Sequence, residues 1–432
     1  MTLFEKNATH TFILGLLFIL HLALFWPGIL TSDSQTQYQI ALTATYSDHH
    51  PALMSFVWRY LNFIYEGSGL MLFLHLGLLY LGVYHFSKSF KSTLEKGLCV
   101  LTPFFPAVLS FSGMIWKDVG FSYGYFLCCA LLARASNEQK PFGFLGHTLF
   151  LSVLFYATAI KFQAQYCAPI FLGSYVFFHL KNASNSKKIL STLSVIFVFF
   201  LALFQVNKSL VPSSKENHSW QFVKLYDIAA VSVSVKKDLF PDFCHTPQFS
   251  DEKLRILFNH ESVDDLVFTS EAILKVGQTP LERQALWDTW LDVITAYPLE
   301  YTQHRLSNLS YMVLGIPGFQ KIDKVLCSAF SKNTRIYDFF YGFFKVLGLL
   351  LLSPLIPSVA CWGYVFLGYK YKNQSFLAFP LLTISLMSCV LLSVLFFFSM
   401  AGTPRYIYVI SCLGWVSHLL ALQVIKTRNI TG

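Results

Sequence analysis

Hydrophobic positions in this chain fall in long blocks, not in the alternation of a half-buried strand or the stripe of a surface helix. Ten blocks stand out, near 11–30, 69–87, 97–114, 119–134, 146–160, 165–180, 189–207, 342–368, 376–399 and 406–425. A helix needs about 20 apolar residues to cross a bilayer. The pattern therefore predicts an all-α polytopic membrane protein with about ten transmembrane helices. Three regions follow: a seven-span module over 1–207 with two short acid-bearing loops, a large polar loop over 208–338, and a three-span module over 339–432. The block from Tyr341 to Tyr369 is long for one span and holds Pro354 and Pro357. It fits one tilted, kinked helix or a short hairpin, and a single span is preferred.

The large loop carries its own helix signals. Thr279-Pro280-Leu281-Glu282 supplies a capping residue, a proline at the first helical position and an acid at the third. Leu286, Trp290 and Ile294 then share a face, Tyr297-Pro298 stops the helix, and a second begins at Leu299. Gly315, Pro317 and Gly318 are expected to end that second helix.

Charge sets the expected orientation. Lys88, Lys91 and Lys96, then Arg134 and Lys140, then Lys181, Lys187 and Lys188, then Lys370 and Lys372, then Lys426 and Arg428 occupy alternate connections. The positive-inside rule puts these connections and both termini in the cytoplasm, and the large helical loop after the seventh span outside it. Composition agrees: 54% of residues are hydrophobic and 13% charged, against roughly 25% charged in soluble proteins. The formal charge of +9 suits anionic lipid headgroups, and nothing in its distribution signals nucleic acid. The first block has no small-residue cleavage site after it and reads as a retained span. Most cysteines lie in apolar blocks; Cys244 and Cys327 lie in the polar loop, where an oxidising compartment would let them pair.

The remaining polar residues collect at the expected outer side. Asp33 follows the first block, in Ser32-Asp33-Ser34-Gln35-Thr36-Gln37, and Gln37 lies one helical turn further on. Asp48-His49-His50-Pro51 follows, and then Trp58, Arg59 and Tyr60. Adjacent histidines do not readily bind one zinc together, so a substrate-binding or loop-fixing role is preferred for His49 and His50. A divalent ion held by a carboxylate and substrate phosphate oxygens stays open, and no other cofactor is implied. Trp116-Lys117-Asp118 sits in a tight connection between spans. Its plain account is an internal ion pair beside an interfacial tryptophan. Its functional account gives Lys117 to an anionic headgroup and Asp118 to a sugar hydroxyl or to orienting a catalytic group. Arg405, before Tyr406, stands on the outer side against the charge rule, and fits either an anion or a loop acid as its partner. Lys161 and Gln163 rank lower, since Lys161 also reads as the end of its span. Tyr226-Asp227, His304 and Arg305 are polar points in apolar settings of the kind that are more often structural.

The layout resembles the GT-C superfamily of membrane glycosyltransferases, and an uncharacterised bacterial branch of it. The resemblance rests on an acid soon after span one, an acid between spans three and four, and a large outer segment after span seven. Asp48-His49-His50-Pro51, Trp116-Lys117-Asp118 and Pro404-Arg405-Tyr406 also look like segments of that branch. It implies a bacterial inner-membrane enzyme that moves a hexose or pentose from a polyprenyl-phosphate carrier to a cell-envelope acceptor, whether lipid, glycan or protein. Asp33 and Asp118 then stand as the catalytic acids. Lys117, Arg405 and Arg59 are placed for phosphate, and His49, His50, Asp48, Trp116 and Tyr406 for the rest of the substrate. Position 33 lacks the paired acids of the mannosyltransferases, and no sequon-reading motif occurs, so sugar and acceptor stay open. A flippase for lipid-linked sugars predicts mid-span charges and repeated halves; mid-span charges are scarce and no duplication shows. A glycan polymerase or ligase is the other alternative, with Arg255, Arg283, Arg305 and Arg335 in the large loop.

Overall fold

In the computed structural model, which describes residues 3–212, 218–314, 335, 338 and 354–431, the chain is all-helical. In chain order come α1 (Leu3–Phe25), α2 (Ser32–Thr43), α3 (Ala52–Ile64), α4 (Gly69–Ser89), α5 (Thr93–Val100), α6 (Pro106–Ser112), α7 (Lys117–Glu138), α8 (Phe144–Ala159), α9 (Ala164–His179) and α10 (Asn185–Leu210). Then come α11 (Trp220–Val235), α12 (Asp251–Leu257), α13 (Asp264–Val267), α14 (Pro280–Ala296) and α15 (Pro298–Leu314), followed by α16 (Leu355–Lys370), α17 (Ala378–Phe398) and α18 (Tyr408–Thr431). Among the described residues five helical segments are long and apolar enough to cross a membrane: α4, α7, α10, α17, and the segment Pro404–Thr427 containing most of α18. The chain folds as two units, one of residues 1–215, 316–392 and 405–432, the other of 216–315 and 393–404.

The first unit is a bundle centred on α7, almost all of which is buried. α4 and α7 run parallel and meet at glycines. A Cβ on Gly82 would strike the Phe126 ring at 2.5 Å, and one on Gly120 would reach His75 Nε2 at 2.6 Å. α8 returns antiparallel, with Gly124 against Ala157. α18 runs beside α7, and Tyr123 and Tyr408 share a hydroxyl–hydroxyl hydrogen bond of 2.8 Å. The bundle thus has one end where α4, α7 and α18 begin, and an opposite end that carries Arg134 with Glu138 and Lys426 with Glu95.

The block at 97–114, expected as one span, is broken into α5, a 3-10 turn at Thr102–Phe104 and α6. Pro103 and Pro106 cause this, since each removes an amide donor and crowds the preceding turn. In the 341–369 block the described helix begins at Leu355, directly after Pro354. The choice between single span and hairpin falls on residues outside those described, as do Cys327 and the Gly315–Gly318 stop.

The second unit is a small helical body built on α11, α14 and α15. Phe222, Leu225, Ile228, Ala229, Leu266, Ile273 and Leu286 form its core. The expected capping box is present: Thr279 Oγ1 accepts from the Glu282 amide, and the Glu282 carboxylate accepts from the Thr279 amide at 2.9 Å. On the apolar face of α14, Val293 is buried where Ile294 was expected.

Candidate functional site

A backbone contact fastens the two acid-bearing segments together. Ile29 and Met114 form a parallel bridge, in which the Ile29 amide donates to Gly113 O at 2.8 Å and the Ile115 amide donates to Ile29 O at 3.1 Å. Glycine makes this approach feasible. Gly28 has φ of +104°, and a Cβ there would lie 2.7 Å from the Ile115 side chain. Both chains then advance in step, so Asp33 and Asp118 each enter a helix four residues after the bridged pair. The Trp116 indole N–H donates to Thr31 Oγ1 at 2.7 Å and pins the helix starts side by side.

Each acid falls in the first turn of its helix, α2 for Asp33 and α7 for Asp118, where the helix dipole favours a carboxylate. Lys117 is the first residue of α7, where the same dipole disfavours a cation. Its ammonium donates to His50 Nδ1 at 2.8 Å, and the charges of Asp33, Asp118, Lys161 and Arg405 all act on it. His50 is buried, and burial followed by Lys117 pulls its imidazole down to about 2. It is therefore neutral at ordinary pH and free to accept from Lys117. His49 packs its ring 4.6 Å from that of His50, and Asp48 is half-buried in the same loop.

The two acids have different partners. Asp118 Oδ1 accepts from Lys161 Nζ at 2.6 Å, with side chains 3% and 4% exposed. Burial lowers the Lys161 ammonium while Asp118 holds it up. Lys161 also lies 4.3 Å above the Tyr406 ring. Asp33 Oδ2 accepts from Arg405 Nη1 at 2.7 Å, with side chains 29% and 20% exposed. Burial pushes the Asp33 carboxyl up, but Arg405, Lys117 and His50 outweigh it and hold the group at about 2. The Arg405 guanidinium carbon lies 5.3 Å from the centre of the Trp116 ring and 5.4 Å from that of Tyr406.

One end of the bundle thus gathers two carboxylates and three cations in partly buried space, with an excess of one positive charge. Gln37, one turn beyond Asp33, is 1% exposed, and its Oε1 makes no hydrogen bond. Among the described residues no group of three metal-ligand side chains is found.

Of the residues expected from sequence, Asp33, Asp118, Lys117, Arg405, His50, His49, Trp116 and Tyr406 come together here. Arg59 engages elsewhere: its Nη1 donates to Ala41 O at 3.1 Å and Leu42 O at 2.9 Å, closing the end of α2. The internal Lys117–Asp118 pair is replaced by crossed pairing, Asp118 to Lys161 and Lys117 to His50. Lys161 ranks low in the sequence because a lysine ending a span is ordinary; its signal is a third cation, after Lys117 and Arg405, on the side expected to be poor in cations. Thr31 gave no signal at all. No family model, curated protein or solved structure matches the chain.

Proposed function

We propose that this chain is a membrane glycosyltransferase of the GT-C type, moving a hexosyl or pentosyl group from a polyprenyl-phosphate carrier to a cell-envelope acceptor. The observation that carries the reading is the convergence of Asp33 and Asp118 with Lys117, Lys161 and Arg405 at one end of the bundle. That end lies opposite the one holding Arg134 and Lys426. With the latter facing the cytoplasm under the positive-inside rule, the cluster belongs at the outer face of a bacterial inner membrane. There a lipid-linked donor presents its phosphate at headgroup level while its tail lies against apolar spans.

The chemistry follows from the groups. An acceptor hydroxyl attacks the anomeric carbon, and the bond from that carbon to phosphate oxygen breaks. The phosphate leaves with the bonding electrons, and the Asp33 carboxylate takes the hydroxyl proton. Lys117 and Arg405 steady the charge growing on the phosphate. Asp118, committed to Lys161, positions that lysine and tempers the field. Trp116 and Tyr406, both buried, hold the Arg405 guanidinium in place by cation–π contact. Paired with Arg405, Asp33 is ionised but, held at about 2, a weak base.

The test is transfer by the purified chain in nanodiscs, given a panel of polyprenyl-phosphate sugars and envelope extract as acceptor. Sugar release that needs the chain and collapses in Asp33→Asn supports the reading. Full transfer by a correctly folded Asp33→Asn protein removes the base assignment, and no transfer from any donor in the panel removes the activity.

A further inference from the structure

The two ion pairs of the cluster are built for different fates. Asp118–Lys161 is sealed, 2.6 Å long with both side chains at most 4% exposed. Asp33–Arg405 is 2.7 Å long, but both partners keep part of their side-chain surface exposed to solvent. Arg405 turns only one nitrogen to the carboxylate, Nη1 to Oδ2. Its guanidinium has five donors and matches a phosphate as well as a carboxylate. Its guanidinium carbon lies 5.3 Å and 5.4 Å from the Trp116 and Tyr406 ring centres, cation–π neighbours that do not compete for its charge as an acid does. Lys117 stands within electrostatic reach of the same place, bonded to a neutral histidine rather than to an acid.

Resting on the donor reading above, we infer that Arg405 exchanges partners: it leaves Asp33 for the phosphate of a lipid-linked ligand, the phosphodiester of the donor or the monoester that transfer releases. Donor binding and the freeing of the Asp33 carboxylate are then one event. The arginine that suppresses the base is drawn off by the group whose departure needs the base. Without a donor, the carboxylate stays masked and does not activate a hydroxyl or water. The masking has a cost in affinity, because a ligand must compete for an arginine that is already occupied.

The test is binding of farnesyl phosphate to the full chain in nanodiscs, with no acceptor present. Exchange predicts that Asp33→Asn binds farnesyl phosphate about tenfold more tightly than the wild type, since the competitor for Arg405 is gone. Asp118→Asn, which removes the same charge from the sealed pair, is expected to tighten binding far less. Equal tightening by both variants means a general field effect and overturns the exchange. A second measurement decides the matter even where Asp118→Asn does not fold. Proton uptake on binding is read by calorimetry at pH 5 in two buffers of different ionisation enthalpy. The wild type is expected to take up more protons than Asp33→Asn, as the released carboxylate becomes basic. Equal uptake overturns the exchange.

Equal affinity of wild type and Asp33→Asn sinks the exchange and leaves the transferase reading standing. Farnesyl phosphate that binds neither protein sinks both. Inorganic phosphate and farnesol separate the two sources of the ligand. Phosphate alone reproducing the contrast keeps the exchange and takes the lipid out of the donor.

Discussion

The two units each bury an aspartate among cations, and the two clusters are spent differently. In the second unit Asp227 is fully buried and receives Arg305 Nη2 at 2.6 Å and the Trp290 indole N–H at 2.8 Å. Arg305 turns its Nη1 to Ser399 O at 2.7 Å, and His304 Nε2 stands 3.4 Å from Asp227 Oδ1. The acid joins α11, α14, α15 and the segment at Ser399, and neither it nor Arg305 has exposed side-chain surface. Lys224, also buried, lies against Trp287 and Trp290 beside this acid, so cations outnumber acids in both clusters, but only in that of the first unit does an ion pair stay partly open to water. Burial is common to both clusters, so burial alone does not mark a site. Nor does an excess of cations; solvent access to the ion pair is what differs.

The largest test of that contrast is to break the closed cluster. Arg305→Ala or Asp227→Ala leaves a buried charge without its partner and is expected to cost about 3–5 kcal/mol. Proteolysis within 218–314 should accelerate in step with the loss of thermal stability. A loss under 1 kcal/mol would mean that this cluster, too, is not a scaffold.

The sealed pair of the first unit should behave like the closed cluster. Asp118→Ala is expected to destabilise by about 3–5 kcal/mol, and Asp118→Leu with Lys161→Met to recover most of it, because two desolvated charges leave together. Thermal melts of the single and double variants measure this, and a double variant no better than the single would rule the pair out as a self-contained unit.

Asp33→Asn is expected to cost less stability, about 2 kcal/mol from the lost ion pair, and to lower the transfer rate by about 100-fold or more. Melting curve and turnover on the same preparation separate the two effects.

Acid pH divides the clusters further. Asp33 has a folded value of about 2 against an ordinary 3.8. Its stabilisation is therefore complete above pH 4 and lost as pH falls toward 2, on the order of 2 kcal/mol. Burial lowers His304 beneath its ordinary 6.5, so the unfolded chain takes the proton first. The second unit should accordingly begin to lose stability as pH drops below 6.5. Melts of wild type, Asp33→Asn and His304→Gln across pH 2–7 resolve the two windows.

The smallest effect belongs to Arg59→Ala, which loses two hydrogen bonds to carbonyls at the end of α2. A cost of about 1–2 kcal/mol is expected, with farnesyl phosphate affinity unchanged. Weakened binding in a stable variant would bring Arg59 back into the site.

Much was legible beforehand. The α14 cap was readable because Thr279, Pro280 and Glu282 act within one turn of chain, where spacing in sequence is distance in space. Asp33 and Arg405 were singled out because a charge beside an apolar block is costly and local. Their pairing was not readable, since 372 positions separate them. The sequence did leave two partners open for Arg405, an anion or a loop acid, and the structure pairs it with the acid. The break at 97–114 was missed although Pro103 and Pro106 announce it, because block length outweighed the local rule.

By itself the sequence determined what depends on composition and on neighbours along the chain: an all-helical, membrane-suited chain, the helix caps, and the sorting of charge to alternate connections. Only the tertiary structure decided which acid is sealed and which is open. That choice rests on a parallel bridge at Ile29 and Met114, on glycines that let two segments touch, and on Lys161 arriving from another helix. Ion pairing depends on separations of a few ångströms and on access to water, and neither is a property of a residue or of its neighbours in sequence.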